Sequence, residues 1–134
     1  MDDRGQLAFV NDFSFGRVKR FYMVENHQSG MIRAWHAHKH EEKYVFVACG
    51  AAIVAAVEID DWDHPSPNAN ISRFVLSEKK PAILHIPSGY ANGFMNLTPH
   101  AKVIFFSTSS VEESRGDDIR YDARYWNPWE IIER

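Results

Sequence analysis

The feature that most constrains this chain is its punctuation. Apolar residues come in short alternating or β-branched runs closed by glycine, proline or Asx-rich turns, and none sustains helical spacing over an ordinary helix length. Arg17 to Val24 alternates, with Val18, Arg20, Tyr22 and Val24 on one side and Lys19, Phe21 and Met23 on the other. Ile32 to His38 follows the turn-like Gln28-Ser29-Gly30. Tyr44 to Ala48 and Ala51 to Ile59 are separated by Cys49-Gly50, read as a turn or bulge. Asp60 to Asn70, with Pro65 and Pro67, reads as the longest loop. Strands resume at Ile71 to Leu76, Ala82 to Ile86 and Lys102 to Thr108, with a Pro-x-Gly turn at Pro87-Ser88-Gly89-Tyr90. Only Trp126 to Glu133 suggests a short helix, begun by Asn127-Pro128. Roughly seven or eight short strands and almost no helix predict an all-β barrel or sandwich, with a flat sandwich lacking a pocket as the alternative.

Composition narrows the class further. A length of 134 residues fits one domain, spanning 1–134, and 45% hydrophobic residues suffice for a packed core. A net charge of -3, without a basic run, predicts no nucleic-acid partner. No stretch is apolar enough to span a membrane, and Met1-Asp2-Asp3-Arg4-Gly5 does not open like a signal peptide, so a cytoplasmic location is expected. The lone Cys49, within an apolar run, reads as a core residue.

The chemistry concentrates around one strand. Residues two apart on a strand share a face, so His36 and His38 point together, with Ala34 beside them and Trp35 and Ala37 opposite. Buried imidazoles need partners, so a barrel would turn the pair toward water, a ligand or a metal. Alternatively, both lie on an exposed face with Lys39 and Glu41. His-x-His followed by Glu42 is also how metal-binding cupins open, and His36, His38 and Glu42 would be suitable ligands. The second half of that signature is broken, because Asn92 stands where its last histidine belongs, although the turn and Asn96 are present.

These residues also resemble a metal-free branch of the cupins that acts on nucleotide-linked sugars. Asp3-Arg4-Gly5 and Arg33-Ala34-Trp35-His36-Ala37-His38-Lys39 are similar to stretches of the dTDP-4-keto-6-deoxyglucose 3,4-ketoisomerases. Pro87-Ser88-Gly89-Tyr90-Ala91-Asn92-Gly93-Phe94 looks more like the turn of the dTDP-4-dehydrorhamnose 3,5-epimerases. The resemblance runs from Asp3 to about Trp129 and implies a cupin-type jelly roll working without a cofactor on a nucleotide-diphosphate sugar.

By that resemblance, His36 is the base that removes the proton beside the sugar ketone, and His38 assists or orients the sugar. Arg4 and Arg33 hold the diphosphate, and Lys43 stabilises the enolate oxygen. Tyr22 and Asn92 complete the substrate-binding set, Tyr22 by stacking. Three departures count against full 3,5-epimerisation: Asn92 replaces a histidine, Phe105 replaces a proton-returning tyrosine, and the C-terminal carboxylate partner of the catalytic histidine is missing. The leading expectation is therefore an isomerase or epimerase of a 4-keto sugar. A metal-dependent cupin enzyme and a non-catalytic sugar-binding cupin are the alternatives. The resemblance further implies a homodimer, whose interface Phe13, Phe15 and Phe21 could cover.

Overall fold

A computed structural model describes residues 1–134. The strands are β1 (Arg20–Glu25), β2 (Ile32–Ala37), β3 (Lys43–Cys49), β4 (Ala51–Glu58), β5 (Ile71–Ser77), β6 (Ile83–Ile86), β7 (Tyr90–Asn96), β8 (Lys102–Ser107) and β9 (Ile119–Arg120). One short helix, α1 (Val111–Arg115), precedes β9. They form two antiparallel sheets, one ordered β1-β8-β3-β6 and the other β5-β4-β7-β2-β9. This is the expected cupin-type sandwich, but the two sheets do not close into a barrel.

Each sheet is written in its burial pattern. On β1 the alternation is that expected: Arg20, Tyr22 and Val24 turn inward, while Phe21, Met23 and Glu25 turn out. β3 and β8 alternate likewise and send Val45, Val47, Val103 and Phe105 into the space between the sheets. There they meet Ala52, Val54 and Ala56 of β4 and Phe94 of β7. The second sheet is covered on its other side as well. Trp35, Ala37, Ile53, Ala55, Val57, Ala91 and Met95 form a second core with Trp126 and Trp129 of the C-terminal segment. Burial on both faces explains why β4 is a continuous apolar run rather than an alternating one.

The C-terminal segment is therefore not the expected helix. From Trp126 onward it is irregular chain laid across the sheet, where Trp126 and Trp129 are 2% and 3% exposed. Indole N–H donors to the Ser66 and Ala123 carbonyls fix the two rings. The helix forms instead at α1, where Ser110 and Glu113 make a reciprocal capping box. The segment after Pro87 is more than a turn: Tyr90–Asn96 is β7, a central strand between β4 and β2. Gly50 links β3 to β4 at φ 74°, a conformation that favours glycine, as the turn reading required.

Candidate active site

Between the sheets lies a cavity of about 290 Å³, near the lower end of the range for small-molecule sites. Arg20, Tyr22 and Val24 of β1 form one wall, with Phe105 of β8 and Lys43 of β3 beside them. Arg33 and His36 of β2, His38, and Asn92 and Phe94 of β7 form the other. Ser114, Asp118 and Arg120 come from the stretch around α1 and β9.

A bulge in β2 composes this wall. Arg33 pairs with Phe94 and His36 with Asn92, so the span from Arg33 to His36 opposes a shorter span of β7. Arg33 and His36 would face opposite ways on a regular strand, yet both reach the cavity. Ala34, expected beside the histidines, instead packs with the Trp35 core on the far side. Gly93 makes this possible. A β-carbon there would lie 2.4 Å from the Ala34 Cβ and 2.9 Å from the Arg33 carbonyl oxygen, so the Asn92-Gly93-Phe94 sequence admits the bulged strand.

The two histidines share the cavity but not the same situation. His36 is half-buried and held through its backbone, whose carbonyl accepts from Asn92 Nδ2 at 3.1 Å. Burial, reinforced by the charges of Lys43 and Arg120, pushes its imidazole down to about 4, so at neutral pH it is an uncharged base. His38 is 4% exposed; its Nδ1 donates to the Asp117 carbonyl at 2.5 Å. Its Nε2 is buried without a hydrogen bond. Burial and Lys43 lower its proton affinity too, while the Asp117 carbonyl and Glu41 oppose the shift.

Lys43, Arg33, Tyr22 and Asn92 all line the cavity. The buried Lys43 ammonium sits 5.8 Å from the Tyr22 ring centre and 5.6 Å from that of Phe105. Tyr22 stacks on Phe105 with centroids 5.1 Å apart. Arg33 is aimed by an amide relay: its Nε donates to Asn26 Oδ1 at 2.6 Å, and Asn26 Nδ2 donates to Asn96 Oδ1 at 3.0 Å. Both asparagines are buried, so the relay is rigid.

Two expected residues are elsewhere. Arg4 is exposed on the N-terminal arm, bound to Asp2 at 2.6 Å, and does not line the cavity. Glu42 faces the outside of the first sheet, where it pairs with Arg17 and with His85 Nε2 at 2.7 Å. The metal set His36, His38 and Glu42 is consequently not assembled, and no three His, Cys, Asp or Glu side chains converge on a common point. The reason is parity: Glu42 is the residue immediately before β3, so when Lys43 points in, Glu42 points out.

Other site residues escaped the sequence reading. Arg20 and Arg120 add guanidinium groups to the cavity, and Asp118 brings a carboxylate whose charge raises the proton affinity of His36. This carboxylate comes from the turn before β9 and not from a C-terminal extension. Asp117 accepts from the backbone N–H groups of Lys39, His40 and Glu41 at 2.7, 2.9 and 2.9 Å, tying down the loop after His38. The available signal was the Gly116-Asp117-Asp118 turn directly before an alternating pair. The cavity as built pairs an uncharged base with a cationic surround, which is suited to removing a proton and stabilising the anion left behind.

Residues 10–132 match the family model described as dTDP-4-dehydrorhamnose 3,5-epimerase. The chain belongs to this family. Among curated relatives, the spore coat polysaccharide biosynthesis protein SpsL of Bacillus subtilis is 26% identical over 96% of this chain and 82% of its own. Of solved structures, the family epimerase from Bacillus anthracis, with TDP and PPi bound, superposes with a TM-score of 0.73 at 21% identity. That match covers 99% of this chain and 81% of the other. The epimerase from Sulfolobus tokodaii gives the same TM-score at 24% identity, over 94% of this chain and 74% of its own. Against the Mycobacterium tuberculosis epimerase (TM-score 0.61, 18% identity), 70% of this chain matches 47% of the larger protein. These structural likenesses establish the shared fold.

Proposed function

We propose that the chain is a sugar-nucleotide isomerase acting on a dTDP-linked 4-keto-6-deoxy sugar in polysaccharide biosynthesis. The observation that carries the reading is His36: an uncharged imidazole facing a cavity whose walls bear Lys43, Arg20, Arg33 and Arg120. Membership of the epimerase family, the TDP held by the Bacillus anthracis relative and the naming of SpsL support the substrate class.

In this reading the arginines hold the diphosphate, Arg33 in the orientation set by Asn26 and Asn96. His36 takes the proton from the carbon beside the ketone. The electron pair moves onto the ketone oxygen, and Lys43 stabilises that charge. His38, which also lines the cavity, orients the sugar, Asn92 holds the His36 backbone, and Tyr22 packs against the ligand. Phe105 offers no hydroxyl on the opposite side, so the proton comes back from His36. The hydroxyl proton on carbon 3 passes to the carbon-4 oxygen, and His36 delivers its proton to carbon 4, leaving a ketone at carbon 3. This is 3,4-ketoisomerisation rather than inversion.

The test is to incubate the protein with dTDP-4-keto-6-deoxyglucose and follow the sugar carbons by NMR. A new carbonyl at carbon 3 supports the reading. Inversion at carbon 3 or 5 with the ketone still at carbon 4 would replace it with epimerisation. We also propose that two copies pair through the outer face of the first sheet, where Phe13, Phe15, Phe21 and Phe106 cluster. Sedimentation equilibrium at twice the chain mass would support this; a monomer at high micromolar concentration would refute it.

A further inference from the structure

Behind the cavity wall lies an ionisable group that the reaction above does not use. Glu41 has a wholly buried side chain, and neither carboxylate oxygen has a hydrogen-bond partner within the chain. A buried carboxylate left this way is costly, and natural structures rarely tolerate it without a purpose. Its surroundings indicate one. Arg20 Nη2 lies 3.6 Å from Oε1, while His38 Nε2 and Lys43 Nζ lie 3.6 Å and 3.7 Å from Oε2. All three of these residues line the cavity, and Glu41 does not. They approach it from β1, from the end of β2 and from β3. The backbone of Glu41 is itself fixed by its N–H bond to Asp117 Oδ2.

We propose that Glu41 is a positioning residue of the site: a buried counter-ion that holds the Lys43 ammonium, and with it the Arg20 guanidinium, in place on the cavity wall. Lys43 has no other carboxylate within salt-bridge distance. Its side chain is 8% exposed, so water does little to balance its charge. Arg20 has a second anchor, its Nε bond to the Ser109 carbonyl at 3.0 Å. Loss of Glu41 therefore falls mainly on Lys43. The distances of 3.6 to 3.7 Å leave each cation one face for the ligand, where direct hydrogen bonds to Glu41 would engage it more fully.

The effect on turnover rests on the function proposed above; the effect on Lys43 does not. The experiment compares the parent with Glu41→Gln, Lys43→Met and the double variant. Deuterium uptake from heavy water into dTDP-4-keto-6-deoxyglucose is measured alongside NMR contacts between the Lys43 side chain and the Tyr22 and Phe105 rings. Glu41→Gln is expected to lose those ring contacts. Its exchange rate should fall roughly 10- to 100-fold, as for other residues that act by orienting a reacting group. Apparent KM should move less than about threefold. The double variant should exchange no more slowly than Lys43→Met alone, because the two residues act as one unit. Multiplying losses, or ring contacts unchanged in Glu41→Gln, would overturn the proposal. If Glu41→Gln does not fold, the double variant is expected to recover the fold, because removing both charges leaves no lysine uncompensated; failure of both to fold would also overturn it. If the parent shows no exchange, the proposed function fails and the ring contacts alone decide for or against Glu41.

Discussion

Glu41 and Glu42 are neighbours in sequence and opposites in environment. Glu42 lies on the outer side of the first sheet, hydrogen-bonded to His85 and paired with Arg17, and His85 stacks on Tyr44 at 4.7 Å. Glu41 lies on the inner side with three nitrogens around it and no hydrogen bond to any of them. Each cluster contains a carboxylate and a histidine, with one basic side chain, Arg17, outside and two, Arg20 and Lys43, inside. One is satisfied and close to water; the other is sealed and under-satisfied. The outer cluster has the geometry of a surface pairing that contributes little to stability. The inner one keeps charge and hydrogen-bonding capacity directed at a cavity, as a site that must respond to a ligand requires.

The sharpest way to break the comparison is to remove the inner cation that faces the cavity. Lys43→Met is expected to slow deuterium exchange by about 10²- to 10³-fold, the usual cost of deleting a group that stabilises a developing oxyanion. A rate within twofold of the parent would contradict the role given to Lys43. Next comes the loop that holds the inner cluster. Asp117→Ala frees three backbone N–H donors near His38 and should lower unfolding stability by about 2–4 kcal/mol, read from urea denaturation.

Acid provides a milder probe. His36 is lowered from 6.5 to about 4, so between those values the unfolded chain binds more protons than the folded one. Stability should therefore be fully present above about pH 6.5, decline as pH falls toward 4, and lose of order 1–2 kcal/mol from this residue after allowance for its exposure. His36→Ala should flatten that part of the profile. Over the same range the exchange rate should stay level from neutral pH to about 5 and fall as His36 takes up its proton near 4. The smallest effect belongs to the outer cluster. Glu42→Gln should cost under about 1 kcal/mol and leave exchange within twofold of the parent. A large loss of activity there would erase the distinction between the two sides.

Much of this architecture is legible before any coordinates. The alternation on β1 and the turn residues around β2 to β6 show themselves through period and punctuation. Strand parity pairs His36 with His38, while Arg33, Lys43, Tyr22 and Asn92 are named only by family likeness, and all of them line the cavity. What is hidden has particular causes. β7 reads as a turn because Tyr90–Asn96 is covered on both faces and so lacks the alternation of a half-exposed strand. The bulge in β2 depends on Gly93, a residue distant in sequence, and it exchanges Ala34 for Arg33 on the cavity wall. The C-terminal tryptophans bury themselves on a sheet rather than against a helix, an outcome of tertiary packing that local propensity does not encode. Asp117 and Asp118 sit in the turn between α1 and β9, and β9 is only two residues long and too short to have a period. α1 is missed although its signal is present in the chain, where Ser110 and Glu113 have capping-box spacing.

The central claim is that His36 is the base. It is tested most directly by the rate at which solvent deuterium enters the sugar beside its ketone, measured for the parent and for His36→Asn at equal nucleotide-sugar occupancy. The account predicts incorporation by the parent and a loss of about 10²- to 10⁴-fold in the variant, the range attached to a positioned general base, with TDP binding retained. Equal incorporation by both proteins would contradict it and move the base to another residue of the cavity.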